Sequence, residues 1–256
     1  MRITVGDTMT AETTDTPLAF TPRFGFSDLE LVVAGYADPA GRERQLPDTF
    51  GSMQWLWSED EHLRFDRGSR ELCSLTLFVP PESVPPESVA VPQGHTAHDD
   101  PPTRPGGLRA DEARDFAMPQ TGVFHCDPGG TELRCLRDVE ALGRKVDARL
   151  GIAPDVALLV QDGAVIGWSL RDPARYLTDG FAEPPPTPPA PATRLLLAEC
   201  LELVSSPLVD EVMDKDAAAW RRLRAAEQAL REQQDDRDRA EVLHRVISRL
   251  VEDYEA

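Results

Sequence analysis

Five histidines, four cysteines and two lysines are the residues of this 256-residue chain whose types could carry chemistry. A general base working near neutral pH is most simply a histidine, and His62 and His125 fall within strand-like sequence. They are the catalytic candidates, and a histidine satisfied within a sheet is the alternative for each. His95 and His98, followed by Asp99 and Asp100, bring imidazoles and carboxylates close in sequence, but within a proline-rich stretch. Ordering such a loop around a metal costs conformational entropy, so adventitious affinity is expected there rather than a site.

His125 and Cys126 approach Cys135 through a hairpin whose turn is Asp127-Pro-Gly-Gly130. Pairing about that turn sets Cys126 opposite Thr131 and His125 opposite Glu132, leaving Cys135 several residues up the partner strand. Neither a closed zinc site nor a cross-strand disulfide follows. The expectation is therefore no metal and no cofactor.

Lys145 with Asp138 and Glu140, and Lys215 between Asp214 and Asp216, are charges on helix surfaces. A nuclease site needs carboxylates that converge from sheet positions. The chain also lacks a Gly-x-Ser-x-Gly elbow and a glycine-rich phosphate loop; Gly106-Gly107 lies in a linker and Gly129-Gly130 in a hairpin turn. Of the 27 cations, 25 are arginine, the residue best suited to phosphate recognition. No arginine cluster appears along the chain, and codon bias from a GC-rich bacterial genome is the simpler account.

Forty-five acidic residues give a net charge of −18, which opposes general nucleic-acid binding because the phosphate backbone rewards clustered cations. The carboxylates are spread over every segment, favouring solubility over mimicry of DNA or a calcium-binding surface. Four irregularly spaced cysteines do not make a disulfide framework and fit a reducing compartment. No apolar run approaches the ~20 residues that span a bilayer. Residues 1–15 lack the basic start and apolar stretch of a signal peptide, so a cytoplasmic location and no membrane association are expected. Met9 could serve as an alternative start, which would make residues 1–8 an extension.

Fourteen of the 23 prolines fall in residues 80–105 and 184–191, including the tandem Pro-Pro-Glu-Ser-Val at 80–84 and 85–89. Proline removes a backbone donor and favours extended geometry before it, so both stretches read as solvated spacers. They divide the chain into a flexible N-terminus (1–17), a β-rich module (18–79), a linker (80–108), an α+β module (109–181), a second linker (182–192) and a helical segment (193–256).

The β-rich module reads as an antiparallel meander. Asp28–Tyr36, Ser52–Trp57, His62–Asp66 and Glu71–Val79 are its strands, with a turn at Arg67-Gly68-Ser69 that contains a residue free to take positive φ. Trp55 and Trp57 share a face, either a binding platform or a buried sheet surface. The α+β module reads β-β-α-β-β. Its helix starts at Asp138, carries Leu142, Val146 and Leu150 on one side and closes at Gly151, and the following hairpin turns at Asp162-Gly163.

Helices capped at Thr193, Ser206-Pro207 and Asp216 make up the last segment, with Trp220 and Leu223 on one apolar stripe and Leu243, Ile247, Leu250 and Tyr254 on another. The last two stripes belong to a helical hairpin or to one long helix. The fold class expected is thus α+β. Without a convergent catalytic constellation, the function expected is that of an accessory or regulatory protein, immunity-like in one form. It would bind a co-encoded protein, or itself, through those six C-terminal residues. A hydrolase or nuclease with its site between the β-rich and α+β modules is the alternative.

Overall fold

The computed structural model describes residues 1–7, 9–52, 61–84 and 100–254. The chain opens with β1 (Arg2–Thr4) and β2 (Thr10–Thr14), paired antiparallel with Ile3 opposite Ala11. Ile3, Val5, Met9 and Ala11 are buried, so the flexible N-terminus expected over 1–17 is instead part of a sheet. Threonine favours extended backbone, and the apolar residues alternate with it at period two, a signal that the polar composition masks.

A second sheet follows: β3 (Arg23–Gly25), β4 (Glu30–Val33), β5 (Thr49–Gly51), β6 (His62–Asp66) and β7 (Leu72–Phe78), with helix α1 (Pro39–Gln45) between β4 and β5. Along β6 and β7, Leu63, Phe65, Leu75 and Leu77 turn into the core. The alternate residues His62, Arg64, Ser74 and Thr76 therefore occupy the opposite face. Register places His62 opposite Thr76 and Arg64 opposite Ser74. In the β6–β7 turn the Asp66 carboxylate accepts from the backbone of Gly68 and Ser69, and the positive φ falls on Arg70 (61°) rather than on the glycine.

The first sheet continues with β8 (Glu82–Ser83), β9 (Thr103–Pro105), β10 (Gly107–Ala110), β11 (Val123–Cys126) and β12 (Glu132–Leu136). Parts of the expected linker 80–108 thus pair within the sheet: β8 with β11, β9 with β13 (Ala148–Ala153) and β10 with β2. The helix expected from Asp138 to Gly151 is one turn, α2 (Val139–Leu142), ended at Gly143. Residues 148–153 form β13 instead, because Leu150 to Ala153 are buried between β9 on one side and β14 (Val156–Gln161) on the other.

β14 and β15 (Ala164–Arg171) make the expected hairpin, with Asp162 and Gly163 both at positive φ as a type I′ turn requires. β15 is the axis of the first sheet, pairing with β14, β12 and β1. β16 (Leu177–Thr178) then joins the second sheet, whose order is β16-β3-β4-β7-β6-β5.

Four helices complete an α+β architecture: α3 (Pro191–Leu203), α4 (Leu208–Met213), α5 (Ala217–Glu232) and α6 (Arg237–Tyr254). Asp216 caps α5 as its position suggests, accepting from the backbone of Ala218 and Ala219. The chain reverses between α5 and α6, which form a hairpin. Apolar residues from both sheets and all four of these helices belong to one continuous core running from Ile3 to Val251. No helix among the described residues is long and apolar enough to cross a membrane.

Candidate functional site

The outer face of the second sheet carries an arrangement that its alternating sequence hides. A sheet face turned to water would leave its polar residues exposed, yet Thr49, His62, Ser74 and Thr76 are each at most 5% exposed. They line a pocket of about 520 Å³ between the sheet and α1. Asp38 starts that helix by accepting from Gly41 N at 2.6 Å. Gln45 at its end accepts from the Ser74 hydroxyl (3.0 Å) and donates to the Cys73 sulfur (3.6 Å), pinning α1 over the strands.

Three arginines reach the pocket: Arg42 from α1, Arg64 from β6 and Arg67 from the β6–β7 turn. Arg64 donates through Nε and Nη2 to the Thr49 hydroxyl at 3.1 and 2.9 Å, and Arg67 donates through Nε to Pro47 O at 3.2 Å. Among the described residues no carboxylate lies within 4.0 Å of either guanidinium. Burial lowers the Arg64 pKa from its ordinary value, partly offset by Asp115, whose Oδ1 is engaged by Gly51 N at 3.0 Å. Arg42 meets Glu30 at 3.9 Å. Arg64, half-desolvated with a neutral oxygen as its partner, has unused capacity for an anion, and Arg67 stands exposed at the rim with a carbonyl as its partner.

Tyr36 supplies one wall. Arg23 braces it from behind, with its guanidinium 5.8 Å from the ring centroid and an Nη2 bond of 2.7 Å to Tyr36 O. Desolvation, opposed by the Thr76 hydroxyl, raises the Tyr36 phenol pKa, so the ring presents a neutral O–H donor.

Of the two catalytic candidates, His62 is in this pocket and His125 is not. His125 lies on β11 in the first sheet with Nδ1 3.2 Å from Val84 O. The hairpin register also differs from expectation: His125 pairs with Arg134, Cys126 with Leu133 and Phe124 with Cys135. The Asp127 carboxylate accepts from the backbone of Gly129, Thr131 and Glu132, closing a wider loop than a tight turn and shifting the pairing by two residues. Cys126 and Cys135 are buried free thiols, and burial pushes the Cys126 pKa up to about 12. Among the described residues no three His, Cys, Asp or Glu side chains could hold a metal.

Asp100 instead pairs with Arg134 (2.5 Å) and Arg149 (3.5 Å). His95, His98, Asp99, Trp55 and Trp57 lie outside the described residues. Asp138 caps α2 at 2.9 Å, while Lys215 stands exposed at positive φ between α4 and α5.

The six C-terminal partner-binding candidates divide. Leu223, Leu243 and Ile247 are fully buried in the chain's own core and cannot meet a partner. Trp220, Leu250 and Tyr254 are half-buried, and the Trp220 indole donates to Val212 O at 3.0 Å. The pocket residues that sequence reading missed are Tyr36, Arg42, Arg64 and Arg67, cations and an aromatic assembled from separate elements.

Compared with protein-family models, curated proteins and solved structures, the chain matches none of them.

Proposed function

We propose that this protein works by binding: it is a cytoplasmic bacterial accessory or regulatory protein whose functional site is the pocket on the second sheet, holding a small polar ligand. One observation carries this reading. Strand positions that ordinarily face water are buried, polar and grouped with three arginines around a space of ligand size. Four free thiols, three of them buried, support a reducing compartment.

The test is a thermal-shift screen of the full chain against a library of small metabolites, repeated on Thr76→Phe, which fills the pocket. A compound that stabilises the wild type and not the variant supports the reading. A screen in which no compound separates the two proteins rejects it.

His62 favours a second reading, a hydrolase acting on the ligand of the same pocket, since an imidazole there could serve as a general base. Ester and phosphoester hydrolysis lost in His62→Gln would support it; equal rates in both proteins would reject it. The protein-partner form of the binding reading rests on Trp220, Leu250 and Tyr254, whose side chains remain partly accessible. Undiminished capture of a co-encoded protein by a folded Leu250→Glu, Tyr254→Ala variant would remove the helical arm from the account.

A further inference from the structure

The pocket also constrains the chemistry of its ligand, an argument that rests on the binding reading above. Of the charged side chains lining it among the described residues, Arg42, Arg64 and Arg67 are cations and Asp115 is the one anion. Behind the wall stand Arg23 and two carboxylates, Glu30 and Asp28, with Arg23 and Arg42 both acting on Glu30. The lining among the described residues thus carries an excess of two positive charges, in a chain whose net charge is −18.

A monocarboxylate would balance one of them. A phosphomonoester carries close to two negative charges at neutral pH and balances both. Guanidinium groups also fit its oxygens through parallel N–H bonds, which a single buried ammonium could not provide. A bare phosphate ion would leave most of the roughly 520 Å³ empty. The remaining lining suits an organic body: the Tyr36 ring is a flat surface held in place by Arg23, and Leu46 and Leu75 are apolar. Aromatic rings pack on such a surface by offset stacking.

We propose that the ligand is an organic phosphomonoester with a planar ring, its phosphate held by Arg64 and Arg67 with help from Arg42 and its ring laid against Tyr36. Titration calorimetry on the full chain at pH 7.5 tests this with four probes: phenyl phosphate, inorganic phosphate, benzoate and phenol. Phenyl phosphate binds, inorganic phosphate and benzoate bind at least tenfold more weakly, and phenol gives no signal. Arg67→Gln weakens phenyl phosphate at least tenfold. Arg67 is exposed on a turn, so this variant stays folded even if Arg64→Gln does not. Tyr36→Leu weakens phenyl phosphate while leaving inorganic phosphate unchanged.

Benzoate or inorganic phosphate matching phenyl phosphate overturns the assignment, as does indifference to Arg67→Gln. The two readings fail separately. A ligand of another class whose binding Thr76→Phe abolishes overturns the phosphomonoester and leaves the pocket standing. Silence from all four probes together with an empty metabolite screen overturns both.

Discussion

The Trp168 indole donates from Nε1 to the Glu61 carboxyl Oε1 at 2.7 Å, joining β15 of the first sheet to the residue that leads into β6 of the second. Thr121 donates to the same oxygen at 2.8 Å. Glu61 is buried, and its pKa is raised to about 7 by desolvation, against the lowering effects of the Thr121 and Trp168 donors and the Arg137 charge. Cys135, also buried, faces it as a neutral thiol held well above its ordinary pKa. Glu61 therefore holds its proton more tightly in the folded chain than in the unfolded one, where the carboxyl ordinarily titrates near 4.5. Its stabilising contribution is complete below that value and is lost as pH rises through about 7. Glu61→Gln keeps an acceptor for Trp168 and Thr121 but removes the ionisation. Relative to wild type, the variant should gain stability between pH 5 and pH 8, by an amount on the order of 3 kcal/mol at most. Urea unfolding of both proteins across that range checks this, and a pH-independent difference would contradict it.

A second prediction concerns the proline stretch before α3. Arg239 on α6 has no exposed surface and donates through Nη2 to Pro185 O (3.0 Å), Thr187 O (2.7 Å) and Arg175 O (3.4 Å), with Nη1 on Asp236 Oδ1 at 2.9 Å. Asp236 in turn accepts from Ala190 N at 3.1 Å. The prolines cannot donate and their carbonyls need a partner, so one guanidinium ties a segment that reads as a free spacer down to the helical hairpin. Arg239→Met should cost about 3–5 kcal/mol, because it strands a buried carboxylate and three carbonyls. It should also admit protease cleavage within residues 182–190. Wild-type stability with an uncut segment would show that the bonds are dispensable.

Much of the fold was legible where the deciding signal is local. Asp162-Gly163 specifies its hairpin because both residues accept positive φ, and Asp216 specifies the start of α5 because its carboxylate meets two free amides. β13 was not legible: Leu142, Val146 and Leu150 sit four residues apart, and only pairing with β9 and β14 on both sides makes 148–153 a strand. The pocket was hidden for a related reason. Arg42, Arg64 and Arg67 look unclustered along the chain and meet only through the β5–β6–β7 register and the placement of α1. His62 was found from its residue type alone, which says nothing of its surroundings.

Gly51 offers a way to disturb the pocket without touching its lining. A Cβ at this position would stand 2.0 Å from Leu63 O on the adjacent strand, a clash that backbone alone can relieve. Gly51→Ala should push β5 from β6, parting Thr49 from Arg64 and freeing the Asp115 carboxylate from Gly51 N. The expected result is destabilisation of about 1–3 kcal/mol and loss of any ligand-induced rise in melting temperature, measured on the same samples. An unchanged ligand response in a folded Gly51→Ala protein would mean that the β5–β6 register does not set the pocket.

The helical hairpin supplies the last prediction, which separates packing from partner binding. Leu243 and Ile247 have no exposed surface and belong to the continuous core, whereas Leu250, within a turn of Ile247 on α6, is half-buried. Truncating a fully buried leucine removes its transfer free energy and leaves a cavity, so Leu243→Ala should cost about 2–5 kcal/mol. Leu250→Ala should cost well under half of that, because water already reaches part of its side chain. A charge sharpens the contrast: Leu243→Asp buries an unpaired carboxylate and should abolish cooperative unfolding, while Leu250→Glu leaves a folded protein. Chemical unfolding of the four variants gives the ordering. If Leu250→Ala proved as costly as Leu243→Ala in dilute protein, the outer edge of α6 would be core as well, leaving Trp220 on α5 and Tyr254 on α6 as the accessible residues of the two stripes.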